Sequence, residues 1–315
     1  MPRRLSLRRA GFLKTNVPKL ESMTIENSSI SQILELAPRV YEPEVFKKIQ
    51  ARPEINEFCQ NFELWNQHVP WLVYADSQPH KELMAKLTAL MWDKVGESCA
   101  DFGCGYGEFL THLLQLGDCT IRKYFAVDLD WQALVTIPRT LKRTSYCGRK
   151  VFLIHSAAML TSPLRDKSVD SVISSLGALM YTWAWFDKDG NQVANNREAF
   201  VEGLIDVHRI LKPGGYLGIS APLPNPNWRV IRNQSLKHLL LHEFSLKKFW
   251  ETIYYGTKAV RYSRFMNGLE QEGKAHYLSP QEWRQYLEDV GFEIEIIETN
   301  CFARQGIIVI ARKVN

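Results

Sequence analysis

Glycines at 103, 105 and 107 follow an acid, Asp101, at the close of a short apolar run in the stretch S-C-A-D-F-G-C-G-Y-G, Ser98 to Gly107. Glycine at this spacing lets the backbone take left-handed angles and lets a ligand approach the main chain closely. A helix starting just beyond, about Glu108 to Leu116, offers unpaired N–H groups and the positive end of its dipole. A second acid, Asp128, stands 21 residues past Gly107 and closes the run Tyr124-Phe125-Ala126-Val127. At the carboxyl end of a neighbouring parallel strand such an acid can accept both hydroxyls of a ribose. The chemistry these residues suit is the holding of a nucleoside-bearing cofactor. A dinucleotide is disfavoured, because its fingerprint is G-x-G-x-x-G. Here the third glycine comes one residue early and Glu108 fills its slot.

Such residues must be positioned by strands and helices in alternation. Short apolar runs bounded by turn signals are what parallel strands buried on both faces require. Val151 to Ile154 reads as a third strand, after a helix from Asp130 to Arg143 that contains Pro138. Asp166 to Ser175 reads as a turn and a fourth strand, and Arg197 to Leu211 as an amphipathic helix. Gly214-Gly215 is expected to stop that helix, with Tyr216 to Ser220 as strand five. Ser279-Pro280-Gln281-Glu282 places an N-cap, a proline at the first helical position and an acid in the first turn. That helix runs to Val290; Gly291 ends it, and Phe292 to Glu298 and Gly306 to Lys313 read as the last two strands. Upstream, Ser22 to Val95 is mostly helical in pattern, with prolines at 38, 43, 53, 70 and 79 as punctuation. In its final helix Leu83, Leu87, Leu90 and Met91 form one stripe. The aromatic and polar stretch Trp65 to Trp71 reads as packing ahead of a pocket rim.

The motif D-x-G-x-G-x-G after a strand resembles the first motif of the class I S-adenosylmethionine (SAM)-dependent methyltransferases. Asp166-Lys167-Ser168-Val169-Asp170-Ser171-Val172 resembles that family's approach to strand four, and H-R-I-L-K-P-G-G-Y-L, His208 to Leu217, its entry to strand five. The resemblance covers roughly Val95 to Lys313. It implies an α/β, doubly wound, seven-stranded Rossmann-like sheet with the last strand antiparallel. It implies SAM as cofactor, with Gly103, Cys104, Gly105 and Gly107 at its methionine end and Asp101 ordering the loop or its contacts. It places Asp128 and Leu129 at the ribose. The adenine would lie after strand three, where the usual Asp is replaced by Ser156 and a backbone N–H near Ala157 can serve instead. Ser174 and the residues on to Tyr181 would border the methyl-transfer centre. Neither the [DN]-P-P-[YF] set nor a Pro-Cys nucleophile is present, which disfavours nucleobase methylation of those kinds. Tyr181, His155, His242 and His276 are the acid–base candidates, unranked by spacing.

The 315 residues are 45% hydrophobic and 23% charged, ordinary for a globular chain, with no apolar run long enough for a membrane span. Six scattered cysteines, without C-x-x-C, read as free thiols in a reducing, cytoplasmic setting. Residues 1–20 hold six Arg or Lys and no acid, so the chain's net +5 belongs to its tail and the remainder is −1. Residues 1–21 are therefore read as a basic, disordered tail, with organellar import as an alternative use. An N-terminal helical region follows over 22–97, and the SAM-binding domain over 98–315. Residues 221–277 are too many for a bare loop and read as a helical, aromatic lid over the acceptor. His238 and His242 lack a third ligand, so no metal site is expected. Tyr181 to Phe186 is the densest aromatic cluster, suited to a sulfonium or a flat acceptor, or to plain packing. The function expected is methyl transfer to a small, fairly apolar acceptor such as a quinone, isoprenoid, lipid or other secondary metabolite. Nucleic acid is disfavoured as a partner and the oligomeric state is left open. The alternatives are an RNA methyltransferase recruited by the tail, and a non-catalytic binding module on the same fold.

Overall fold

Ser98–Phe102 (β2) is buried at all five positions, as a strand between two helical layers must be. The computed structural model describes residues 40–68, 77–116, 120–142, 150–242 and 245–314. Lys123–Asp128 (β3) and Val169–Ser175 (β5) pair with β2 in parallel on either side. Lys150–His155 (β4) lies beyond β3, and Leu211–Pro222 (β8) beyond β5. Phe292–Cys301 (β9) follows next in the chain, but Gly306–Lys313 (β10) inserts between it and β8, antiparallel to both. The order is β1-β4-β3-β2-β5-β8-β10-β9, where β1 is the two-residue strand Val40–Tyr41 at the edge of β4. The expected doubly wound sheet of seven strands is present, extended by β1. Its order reverses between β2 and β5, the point at which such sheets open a crevice at their carboxyl ends.

Helices cover both faces. Glu44–Gln50 (α1), Pro53–His68 (α2) and Gln78–Met91 (α3) precede the first motif. Leu83, Leu87 and Met91 of α3 are fully buried on the sheet. Gly218 of β8 makes room there, since a Cβ on it would meet Met91 Sδ at 2.9 Å. Glu108–Gln115 (α4) and Trp131–Lys142 (α5) follow β2 and β3, and Asn196–Ile210 (α6) precedes β8. The insert after β8 is Trp228–His242 (α7) and Leu246–Gln271 (α8). Pro280–Val290 (α9) carries a capping box between Ser279 and Glu282 and ends on left-handed Gly291.

Several expectations are corrected. Gly214 does not stop α6: the helix ends at Ile210 because Leu211 is already extended, at φ −68° and ψ 137°. Lys212, next to it, is biased away from helix by Pro213. Gly214, at φ +72°, instead bends the start of β8, which spans 12 residues rather than five. Asp130 lies outside α5 and caps it, its Oδ1 accepting from Gln132 N at 2.8 Å. The aromatic cluster enters a hairpin, Ala184–Phe186 (β6) with Gln192–Asn195 (β7), that the sequence pattern does not announce. Trp183, Trp185 and Phe186 are buried, Trp183 edge-on to Phe58 at 5.7 Å. The cations over these rings are the chain's own, the Arg52 guanidinium 5.0 Å from the Phe186 ring and Lys274 Nζ 5.6 Å from that of Trp183. The tail and the side chains of Trp65 to Trp71 lie outside the described residues.

Candidate cofactor and acceptor site

The glycine turn is stitched to β3 by its own backbone. Gly103 N and Cys104 N both donate to Val127 O, at 2.8 and 3.2 Å. Gly103, Gly105 and Gly107 have φ of +78°, +51° and +78°, the region in which a side chain is strained. Gly107 is the N-cap of α4, and Glu108 behind it sits 3.6 Å from His80 Nε2 of α3. Cys104 is buried with its Sγ 3.7 Å from Gly105 O, and burial first, then Asp128, pushes its thiol well up.

Asp128 stands at the end of β3, half-buried, facing this turn. Its Oδ2 accepts from Gly105 N at 2.7 Å and its Oδ1 from Asp130 N at 2.8 Å. Burial raises its carboxyl to about 6 against the pull of those two N–H groups. A carboxylate has roughly four acceptor sites, so capacity for a diol remains. Asp101 is 2% exposed and accepts from Tyr124 Oη across the β2–β3 pair. Burial lifts it to about 7. Its partner is thus the neighbouring strand rather than the loop's amides.

Opposite the glycine turn lies the turn after β5. A Cβ on Gly103 would stand 2.4 Å from Ala178 N and 2.7 Å from Gly177 Cα; one on Gly177 would stand 2.4 Å from Phe102 O. The two turns meet backbone to backbone at the reversal point. Ser174 fastens them, its Oγ donating to Phe102 O at 3.1 Å and accepting from Leu179 N at 3.3 Å. Gly177 escapes sequence reasoning because its neighbour is 74 positions away; a lone glycine after a strand is its only signal.

After β4, Ser156 is buried and its N donates to Asp128 O at 3.0 Å, while its Oγ lies 3.4 Å from Ala157 O. Ala157 and Leu129 are half-buried beside it. His155 is spoken for: Nε2 meets Leu129 O and Nδ1 meets Glu42 Oε1, each at 3.0 Å. His276 is buried with Nε2 3.0 Å from Thr182 O, and burial lowers its pKa to about 4. His242 lies on α7, its ring 4.9 Å from that of His238. Among the described residues no three side chains could share a metal.

Tyr181, of the acid–base candidates, lines a cavity among the described residues. The cavity lies over the carboxyl ends of β5 and β8, with Leu176, Met180, Tyr181 and Pro222 below and Trp228 of α7 and Tyr262 and Met266 of α8 above. It measures about 10 Å³, room for roughly one water. Tyr181 Oη sits 3.8 Å from Met266 Sδ. Tyr277 is buried near both Tyr181 and Tyr262.

Residues 100–219, from the middle of β2 to β8, match the model of a methyltransferase domain. The chain therefore holds a methyltransferase domain over those residues. Among solved structures it resembles the 1,6-didemethyltoxoflavin-N1-methyltransferase of Burkholderia thailandensis, at 14% identity over 84% of this chain and 92% of that one, TM-score 0.51. That structure holds 1,6-didemethyltoxoflavin and S-adenosylhomocysteine. A SAM-dependent methyltransferase from Aquifex aeolicus aligns at 15% identity over 87% of this chain and all of that one, TM-score 0.43. One from Mesorhizobium loti aligns at 18% over 72% and 96%, TM-score 0.43. No protein of curated function matches the chain. In this methyltransferase the two later motifs meet in space. Lys212 Nζ lies 2.6 Å from Asp170 Oδ1, while Asp170 Oδ2 accepts from Ser98 N at 2.8 Å and Ser98 Oγ at 2.6 Å. Burial works to raise Asp170, but Lys212 and Ser98 hold it below the usual carboxylate range. The pair ties the start of β2 to β5 and β8, and so sets the level at which the glycine turn emerges.

Proposed function

We propose that this methyltransferase transfers the SAM methyl to a compact, largely apolar small molecule bound between the carboxyl ends of β5 and β8 and the α7–α8 insert. The observation that carries the reading is the apolar cavity at that place, roofed by Trp228, Tyr262 and Met266. For the cofactor, Asp128 would accept the ribose hydroxyls, and Gly103, Cys104, Gly105 and Gly107 would present backbone to the methionine end. Leu129, Ser156 and Ala157 would border the adenine, with backbone rather than an acid as its partner. Asp101 and Ser174 serve by holding β3 and the Gly177 turn against the loop. Bound SAM supplies a sulfonium methyl open to in-line displacement, so the chain's task is alignment and exclusion of water. With about one water's room, the insert must lift to admit an acceptor and close over it. Tyr181, a hydroxyl lining the cavity, would orient the acceptor's attacking atom. The domain boundaries that fit are 22–97 for the helical layer, 98–315 for the methyltransferase domain and 221–277 for the lid within it. Buried thiols at Cys59, Cys99, Cys104 and Cys301, none in a disulfide, support a reducing, cytoplasmic setting.

Met266→Trp tests the cavity. Filling it should leave SAM affinity unchanged by calorimetry and lower radiolabelled methyl transfer to a panel of phenols, quinols and isoprenoid alcohols by about tenfold or more. Unchanged transfer by the variant would place the acceptor elsewhere.

A further inference from the structure

The insert carries a surface that its roofing role does not use. On α8, Leu246, Trp250 and Tyr254 recur every four residues and are 70%, 65% and 58% exposed. Spacing of four puts them on one stripe. On α7, Leu240 and Leu241 are 44% and 65% exposed. Only residues 243–245 separate the two helices, so both sets lie toward the end of the hairpin where the helices join. Large apolar side chains gathered this way mark an interaction surface. Residues 228–261 also hold seven Lys or Arg against Glu243 and Glu251, a net of +5 spread along both helices, of which Lys237, Lys247 and Lys248 are nearest in sequence to the joined end.

We propose that the joined end of the α7–α8 hairpin docks on an anionic lipid surface. Basic residues interleaved with exposed Leu, Trp and Tyr are the composition of helices that lie in a membrane interface. Trp and Tyr settle at headgroup level, and anionic headgroups answer the positive charge. No helix among the described residues is long and apolar enough to cross a membrane, so the contact is peripheral. The same hairpin supplies Trp228, Tyr262 and Met266 to the cavity roof. Docking there would bring the opening lid to a phase in which apolar acceptors dissolve; that clause rests on the acceptor reading above, whereas the docking does not.

The test uses the full chain and needs no acceptor. Vesicles of phosphatidylcholine mixed with phosphatidylglycerol, and vesicles of phosphatidylcholine alone, are sedimented with the wild type and with L241E/W250E/Y254E. The three positions are exposed, and melting temperature and SAM affinity verify that the variant is folded. The wild type should co-sediment with the anionic vesicles, and the variant should bind them about tenfold more weakly or worse. Wild type left in the supernatant, or a variant that binds equally, overturns the proposal. So does complete loss of binding on deleting residues 1–20 alone, which would assign it to the tail. A dimer in solution that the variant splits, with neither form binding vesicles, would assign the face to a second copy and overturn it as well. Vesicle binding that persists while Met266→Trp leaves turnover unchanged would sink the acceptor reading and spare this one.

Discussion

Asp128 holds the glycine turn and the start of the next helix with one carboxylate, and in the proposed site the same carboxylate takes the ribose hydroxyls. Asp128→Ala should therefore weaken SAM binding by roughly 10- to 150-fold, the loss expected for hydrogen bonds to a charged group. It should also lower the melting temperature, because Gly105 N and Asp130 N lose their acceptor. Calorimetry and thermal melting on one sample read both effects; unchanged affinity would move the ribose site. With the free carboxyl at about 6, SAM affinity of the wild type should fall as the pH is lowered through that value. Asp101 gives a sharper sign. Its folded value of about 7 lies above its unfolded value near 3.8, so the folded state binds the extra proton between them. Stability contributed by the protonated form is complete below the lower value and is lost as pH rises to the upper one. Asp101→Asn, which can still accept from Tyr124, should gain on the wild type across that window, by on the order of 1 kcal/mol or more. A stability difference that ignores pH would show that Asp101 is not the buried acid described.

At the scale of elements, the site depends on two turns that pack without side chains. Gly103→Ala adds a Cβ 2.4 Å from Ala178 N in a left-handed conformation. The cost should be about 3 kcal/mol, and the displaced turn should lose SAM binding too. Gly214 is the internal control: it has a similar φ of +72° but nothing within 4 Å of an added Cβ. Gly214→Ala should cost only about 1 kcal/mol, the backbone term alone, with cofactor binding intact. Equal losses in the two variants, measured by denaturant unfolding, would mean the backbone contact between the turns carries no energy.

Across the whole molecule, charge is uneven. The tail contributes +6 and residues 228–261 contribute +5, while the chain totals +5, so the remaining body is acidic. Basic patches on an acidic body steer a molecule toward polyanionic surfaces without requiring nucleic acid as substrate. Deleting residues 1–20 should leave SAM affinity and methyl transfer unchanged, with at most a shallow dependence on salt. If the tail recruits RNA, the same deletion should abolish activity, and affinity for RNA should fall steeply between low and physiological salt. Filter binding with single-stranded RNA alongside the transfer assay separates the two outcomes.

What could be read from residue order is what local sterics dictate. Three glycines between an apolar run and a helix can make little but this turn, and a strand closed by Asp128 places an acid beside it. The K-P-G-G turn and the Ser279 capping box are equally local. Their elements stand where the pattern puts them, apart from the end of α6 and the start of β8, where Leu211 is already extended ahead of the glycines. What the tertiary structure decided is which distant groups meet. Asp101 turns to Tyr124, Asp170 to Lys212, His155 to Glu42, and Gly103 to Gly177, and each contact joins residues more than 20 positions apart that only the assembled sheet brings together. Register also gave fixed partners to both ring nitrogens of His155 and to Nε2 of His276. The β6–β7 hairpin belongs here too, since its strands of three and four residues are stabilised by burial of Trp185 and Phe186 rather than by their own propensity. Periodicity registers the composition of a segment, whereas a contact between two turns exists only once the sheet has brought them together.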